Sequence, residues 1–570
     1  MKSFIKTSIL LLLALGIAVS AQAQDAVKVL GPGYPGHELE TYLQEWHRTL
    51  DADTTYVLSG FYFVDSTYSL TIPAGTTVLC APGSGLIVAR GAQIFATGTA
   101  SDPVVFAPTD PPGERQRGEW AGVIILGEAP VNQPNPFIEG LEGGPGYFGG
   151  TDPNDDSGDF YYVRIEYPGY RIEEGNEVNS LTCGGVGDGT EIHHVQVSYG
   201  FDDAYEFFGG TVNPHHLVAL ANIDDMFDTD FGYSGEIQWG FVVRDPLEFD
   251  VEGTSNGWES DNEGSALDPP STPRTAPVFS NITLIGPERD DTIVLPPTHT
   301  FGYSGVLRRC SQNKIFNSVV MGFPFGLSVR DACTHTDAVN DVVEFAHTSL
   351  QASVVKDAGT VHQTSRWDGT VTPPGVDSWI LTEPGYNAAW NSPRNPSSIG
   401  LTDMSDLNNP NPIPAVGSEL IGTANFTDPA LAGFDVVTYR GAFDPTKTMA
   451  TEWTAGWTNF DPQNTVYWGT TDVAETITRP VSLSQNYPNP FNPVTKIAYS
   501  VRQAGNVTIT VHDAAGRVVR TLLADDVAAG DGVVTWDGTN DSGSPCASGV
   551  YFYSIETPEY SETHKMVMLK

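Results

Sequence analysis

The sequence predicts an all-β protein, a right-handed parallel β-helix followed by a small immunoglobulin-like β-sandwich, and three observations lead there. The chain has 570 residues with 59 Gly, 41 Pro and 11% aromatics, a balance that favours short strands and turns over helices. Residues 190–210 lie over 212–232 without a gap: His193-His194 falls on His215-His216, Asp202-Asp203 on Asp224-Asp225, Tyr205 on Phe227, Glu206 on Asp228 and Gly210 on Gly232. A period of about 22 residues is that of a solenoid, whose units bury their apolar faces only by stacking on neighbours. The units are strand-like, because Val195, Val197 and Tyr199 alternate with His194, Gln196 and Ser198 at period two. Leucine-rich repeats share the period but need a Leu/Asn frame that is missing. An array of antiparallel sandwiches is the other all-β option, but it does not require successive units to match residue for residue, as stacked coils do.

The elements follow in order. Residues 1–23 carry Lys2 and Lys6, an apolar run from Ile9 to Val19 and the small-x-small signal Ala21-Gln22-Ala23, which together read as a secretory signal peptide. The run is well short of the roughly 20 residues that span a bilayer, and no later stretch is apolar enough, so the mature protein is expected to lack a transmembrane segment. Residues 24–54 form a lead-in and 55–470 the β-helix. Its strand-and-turn units run from Leu70-Thr71-Ile72 through Val123-Ile124-Ile125-Leu126 to Gly326-Leu327-Ser328-Val329. The Pro-, Gly-, Asn- and Asp-rich segments 130–160, 246–275 and 360–430 read as loops inserted at coil corners. Residues 471–481 are a linker, and 482–570 hold the alternating short strands of the sandwich.

Charge excludes partners more than it names them. With 70 Asp+Glu against 28 Lys+Arg, a net charge of -42, the chain lacks the clustered cations that neutralise phosphates, so nucleic acid and anionic lipid surfaces are excluded. Stacking organises part of this acidity. A third unit aligns through Gly257-Trp258-Glu259-Ser260-Asp261, giving an aromatic column of Tyr205, Phe227 and Trp258, read as interior packing. Beside it run an acidic column of Glu206, Asp228 and Glu259 and a partly acidic one of Phe208, Asp230 and Asp261. Carboxylates about 4.8 Å apart either form a solvated acidic face or, joined by turn carbonyls, supply the hard oxygen ligands that Ca²⁺ takes. His194 over His216 is a metal pair without a further soft ligand, and solvent-exposed stacked histidines are the expected reading. Cys310 and Cys333 are one coil apart, a separation that fits either a disulfide or two buried thiols.

Catalytic signatures are sparse. There is no Gly-x-Ser-x-Gly elbow, no His-Glu-x-x-His helix and no phosphate-cradling loop. A β-helix with stacked acids invites comparison with Ca²⁺-dependent polysaccharide lyases, where Arg244 beside Asp245 or Arg330 beside Asp331 would be the base. Polygalacturonase-like hydrolases are disfavoured, because only the Asp-Asp doublets of their signatures are present, and those recur at the repeat period.

The C-terminal segment carries more specific motifs: Asn486-Tyr487-Pro488-Asn489-Pro490-Phe491-Asn492-Pro493, Asp513-x-x-Gly516-Arg517, Trp536-Asp537-Gly538, Gly549-x-Tyr551 and a final run from Lys565 to Lys570. It resembles the C-terminal sorting domain of type IX secretion cargo, related to the immunoglobulin-like domain of the flagellar hook-cap protein. That resemblance implies passage across the outer membrane of a Gram-negative bacterium by the type IX secretion machinery, usually with removal of this domain. The body, through Gly85 to Gly91, Gly118 to Gly127, Tyr162 to Tyr167 and Trp453 to Pro462, is similar to a family of secreted β-helix proteins without an assigned activity. The expectation is a secreted or cell-surface protein with a non-enzymatic role in adhesion or matrix contact, its partner a surface polysaccharide or matrix. The alternative is a Ca²⁺-dependent polysaccharide lyase or other carbohydrate-active enzyme.

Overall fold

The computed structural model describes residues 47–352 and 399–467 apart from short stretches, a few positions between 379 and 388, most of 481–569, and the strands Val27–Leu30 and Leu39–Glu40. The segment 1–23 lies outside the described residues. The body is a parallel β-helix, its strands paired in parallel from coil to coil in one long sheet and one of nine strands, which begins at Phe61–Val64 and ends at Phe325–Val329. The internal repeat is the coil register itself: His193 pairs with His215, Tyr205 with Phe227 and Glu206 with Asp228, and Trp258 and Glu259 extend the last two columns.

The aromatic column lies in the core. Tyr205, Phe227 and Trp258 are all buried, with the first two rings stacked at 5.5 Å. Tyr205 crosses the interior to share its one hydroxyl proton between the carbonyls of Val195 and Val218, both at 2.7 Å. A phenol thus reaches acceptors on the opposite sheet that an aliphatic core leaves unsatisfied.

Seven successive coils turn one corner through a non-glycine residue in the left-handed region. Tyr162, His194, His216, Trp239, Asn281, Asn317 and His347 form this column, with φ between 48° and 65°. Bulky side chains pay for that conformation only where the surroundings over-determine it. Here they do so by stacking: Tyr162 on His194 and His194 on His216, each at 4.4 Å.

Part of the outward face of the long sheet is covered. Residues 399–467 return as a strap, laying Leu401, Met404, Leu420, Phe443 and Trp457 on Val218, Leu220, Phe241, Val243, Ile285 and Met321. Side-chain amides fasten it. Gln196 donates to the Asn459 carbonyl and accepts from its N–H, at 2.7 and 2.8 Å. Gln238 does the same with Asp435, and Asn317 with Asn425. Asn281 donates to the carbonyls of Tyr439 and Gly441. Each amide presents donor and acceptor groups like those of a peptide, so the strap is held although its two strands, Leu401–Asp403 and Asn411–Pro414, pair only with each other. The loop expected across 360–430 is therefore, over its described part from 399, a packed cover. Replacing Gln196 and Asn317 by Ala should cost about 1–3 kcal/mol at each site. Limited proteolysis should then cut within 399–467 at least tenfold faster while the far-ultraviolet spectrum of the coils is unchanged.

Cys310 and Cys333 form a disulfide with Cα atoms 5.0 Å apart, tying one coil to the short helix Ala332–Val339. Closing a loop across a separation of 23 residues is worth about 3 kcal/mol by restricting the unfolded chain. The Cys310→Ser/Cys333→Ser double variant should lose about that much in denaturant titration.

The C-terminal unit is an immunoglobulin-like sandwich of a three-stranded and a four-stranded antiparallel sheet. Phe491 packs on Trp536, and the Leu569 N–H donates to the Phe491 carbonyl at 2.8 Å, so the end of the chain closes on the start of the unit. Asn486 is buried, its side chain donating to Thr495 and its backbone N–H to the Tyr553 hydroxyl. Arg517 pairs with Asp513. Tyr487, Pro488, Asn489, Pro490, Gly516 and Lys570 lie outside the described residues, as does the side chain of Lys565.

Candidate metal centre

The candidate site is built on the nine-stranded sheet and the turns that enter it. Strands Leu181–Gly184, Tyr205–Phe208, Phe227–Asp230 and Trp258–Ser260 lie side by side, stacking Thr182, Glu206, Asp228 and Glu259 on the face away from the core. Just before each strand a second column does structural work. The Asn179 side-chain oxygen accepts the Asp203 N–H at 3.2 Å, Asp203 that of Asp225 at 2.7 Å, Asp225 that of Asn256, and Asn256 that of Tyr303 at 2.9 Å. This column explains why the Asp-Asp doublet recurs at the repeat period: its second member caps the backbone of the next coil. Asn serves at both ends, so the bond itself needs no charge.

The charges that remain are crowded. Carboxylate oxygens of Asp203, Glu206 and Asp228 lie within 4.8 Å of one another, and those of Asp202, Asp203 and Asp224 form an overlapping group. Asp203 and Glu206 are buried. Asn179 donates to Glu206. The Asp228 Oδ1 atom is buried and takes no hydrogen bond. Burial first, then the neighbouring carboxylates, push Asp203, Asp224 and Asp228 well above the usual range. Glu259 is pushed up to about 8 and Asp230 to about 7, again mainly by burial. The expected solvated acidic face is thus a half-buried to buried one.

Five acidic positions singled out by the repeat divide here. Glu206 and Asp228 come together, with Asp203 as the third member. Glu259 and Asp261 are instead held by Arg308, at 2.7 Å for Asp261, and Asp261 also by Arg309. Asp230 accepts the Phe231 N–H at 2.6 Å. Asp202, Asp203 and Asp224 were visible in the sequence only as turn doublets; their alignment with one another was the signal. Arg308 and Arg309 had no such signal, since they reach the site from a coil beyond the 246–275 insertion.

The donor set fits a hard cation. Ca²⁺ binds oxygens at 2.3–2.6 Å, so oxygens of one shell lie no more than about 5 Å apart, as the two groups do. Asp203, Glu206 and Asp228 would hold such an ion, and the unbonded Asp228 oxygen is the lone pair it would satisfy.

Beneath this site lies Arg244, fully buried. Its guanidinium donates to the carbonyls of Asn222, Ile223, Asp224 and Asn256, the second at 3.1 Å. Burial lowers it to about 10, and Asp225, Asp224 and Asp203 oppose that shift. Arg330 donates to the Ser328 hydroxyl at 3.0 Å and lies over the Tyr303 ring.

Fold and site together define a parallel β-helix protein with an acidic ladder on one sheet. Residues 41–373 match the family model described as a pectate-lyase like beta helix domain, and the chain belongs to that family. Residues 494–559 match the FlgD Ig-like domain. No curated protein matches the chain. Among solved structures it is similar to latent PorU from Porphyromonas gingivalis, at 22% identity over 16% of this chain and 10% of that one, with a TM-score of 0.14. It is also similar to PorZ of the same organism, an essential bacterial surface component of the type IX secretion system, at 24% identity over 18% and 13%, with a TM-score of 0.13. The likeness thus spans about an eighth or less of either solved chain.

Proposed function

We propose that this is an exported cell-surface protein, carried by the type IX secretion machinery through residues 482–570, whose β-helix serves adhesion or matrix contact and whose acidic ladder holds Ca²⁺. The export reading rests on the N-terminal signal pattern, the ordered motifs from Asn486 to Lys570 and the FlgD Ig-like match. A binding role is supported by the state of the cations nearest the ladder. A lyase needs an Arg or Lys free to take a proton beside the acidic groups. Arg244 is buried against carbonyls, and Arg308 and Arg309 are paired with Glu259 and Asp261. Arg330 is bonded to Ser328. Incubation with a panel of acidic polysaccharides, with and without calcium, should give no unsaturated product by ultraviolet absorbance, and retention of one of them on immobilised protein. Product formation that requires calcium would establish the lyase reading instead. Mass spectrometry of the surface-exposed form tests export: a truncated C-terminus is expected, and an intact Lys570 contradicts removal of the sorting unit.

A further inference from the structure

The corner column described above brings four histidines together. His193 and His215 stack at 4.9 Å, His194 and His216 at 4.4 Å, and the two stacks meet edge-on. In each coil the two Nδ1 atoms face each other, at 2.8 Å for His193 and His194 and 2.7 Å for His215 and His216. The strap roofs the stack with Trp453, 5.1 Å from His216, and Trp457, 5.6 Å from His194. The expected solvent-exposed pair is therefore a partly buried cluster, and a third ligand has joined it: ring nitrogens of His194, His215 and His216 lie within 4.8 Å of one another.

We propose that this cluster is a second metal site, distinct from the acidic ladder, which takes a divalent transition-metal ion such as Cu²⁺ or Zn²⁺ on His194, His215 and His216. Imidazole suits these ions, and three protein nitrogens with one open position make a complete exchangeable site. The Nδ1 atoms of His215 and His216 lie 2.7 Å apart across a shared proton, which an ion bound there would displace. His194 lies parallel to His216 and must turn about its ring bond to join them. Room for a fourth ligand is provided by a cavity of about 190 Å³ that His215 and His216 line together with Trp239, Glu236 and Asp435. Glu236 or Asp435 from its wall, or water, completes the shell. The tryptophans supply a dry outer layer that slows loss of the ion.

The test uses the full mature chain, stripped with chelator and titrated with Cu²⁺. Trp453 and Trp457 lie close enough for the bound ion to quench their fluorescence, so quenching should saturate at one ion per chain, with nitrogen coupling in the electron paramagnetic resonance spectrum. His215→Gln and His216→Gln should each weaken binding at least tenfold, while Asp228→Asn leaves it unchanged. Zn²⁺ should compete for the same site. Circular dichroism identifies any variant that fails to fold, and His215→Gln, outside the left-handed corner that His216 holds, is the safer of the two. No saturable quenching, a spectrum without nitrogen coupling, or binding indifferent to both folded variants would overturn the proposal.

Discussion

Replacing Arg244 by Met is expected to unfold the central coils, lowering stability by about 3–5 kcal/mol. Methionine fills much of the volume but returns nothing to the four carbonyls that the guanidinium now satisfies. It also strips the countercharge from Asp225, Asp224 and Asp203, which the cation draws toward ionisation. The variant should show an early unfolding transition in denaturant, and Arg244→Lys should not rescue it, because one ammonium cannot span four carbonyls from two turns. An Arg244→Met protein as stable as wild type would mean that the buried acids are neutral and the carbonyls satisfied by other means.

The second large effect concerns the acidic ladder without its ion. A carboxyl whose pKa is raised on folding stabilises the fold below its ordinary value, and that contribution is lost as pH climbs toward the folded value. Asp203, Asp224 and Asp228 are pushed well up, and Glu259 and Asp230 to about 8 and 7. Chelator-treated protein should therefore lose stability between about pH 4 and 8, at up to about 1.4 kcal/mol per pH unit for each such carboxyl. Calcium at a hundred times its dissociation constant should restore about 2.7 kcal/mol at pH 8. Asp228→Asn should raise the metal-free melting temperature at pH 8 and abolish the calcium increment. If calcium shifts the wild-type midpoint no more than magnesium or sodium at equal ionic strength, the ladder is not a calcium site.

Much of the architecture was legible because stacking leaves a periodic trace. Tyr205, Phe227 and Trp258 share a column since parallel coils place identical positions one strand apart, and the alternation of Val195 and Val197 marks the core face. What was not legible has no period. The left-handed corner at His194 and His216 resets the alternation, so His193 and His215 also reach the outer side, which strict period two forbids. The strap contacts Gln196, Gln238, Asn281 and Asn317 through their amides, and a buried amide that bonds backbone looks in sequence like any exposed one. Asn179 and Asn256 ended the capping column from within loop-like stretches. The arginines on Glu259 and Asp261 came from a coil displaced by an insertion.

The strap also sets the order in which the molecule can be completed. Each coil bonds to its immediate neighbour, so the solenoid can grow from the first coil onward as the chain emerges. The bond between Gln196 and Asn459, however, joins residues 263 apart, and Arg115 reaches Pro462 across 347. Contacts of such separation form late. Until the strap arrives, the emerging solenoid presents a strip of Val218, Phe241, Val243 and Met321 to its surroundings, and any binding partner that recognises this strip meets only the unfinished protein. A solenoid sealed only by a late-made segment carries its own marker of incompleteness.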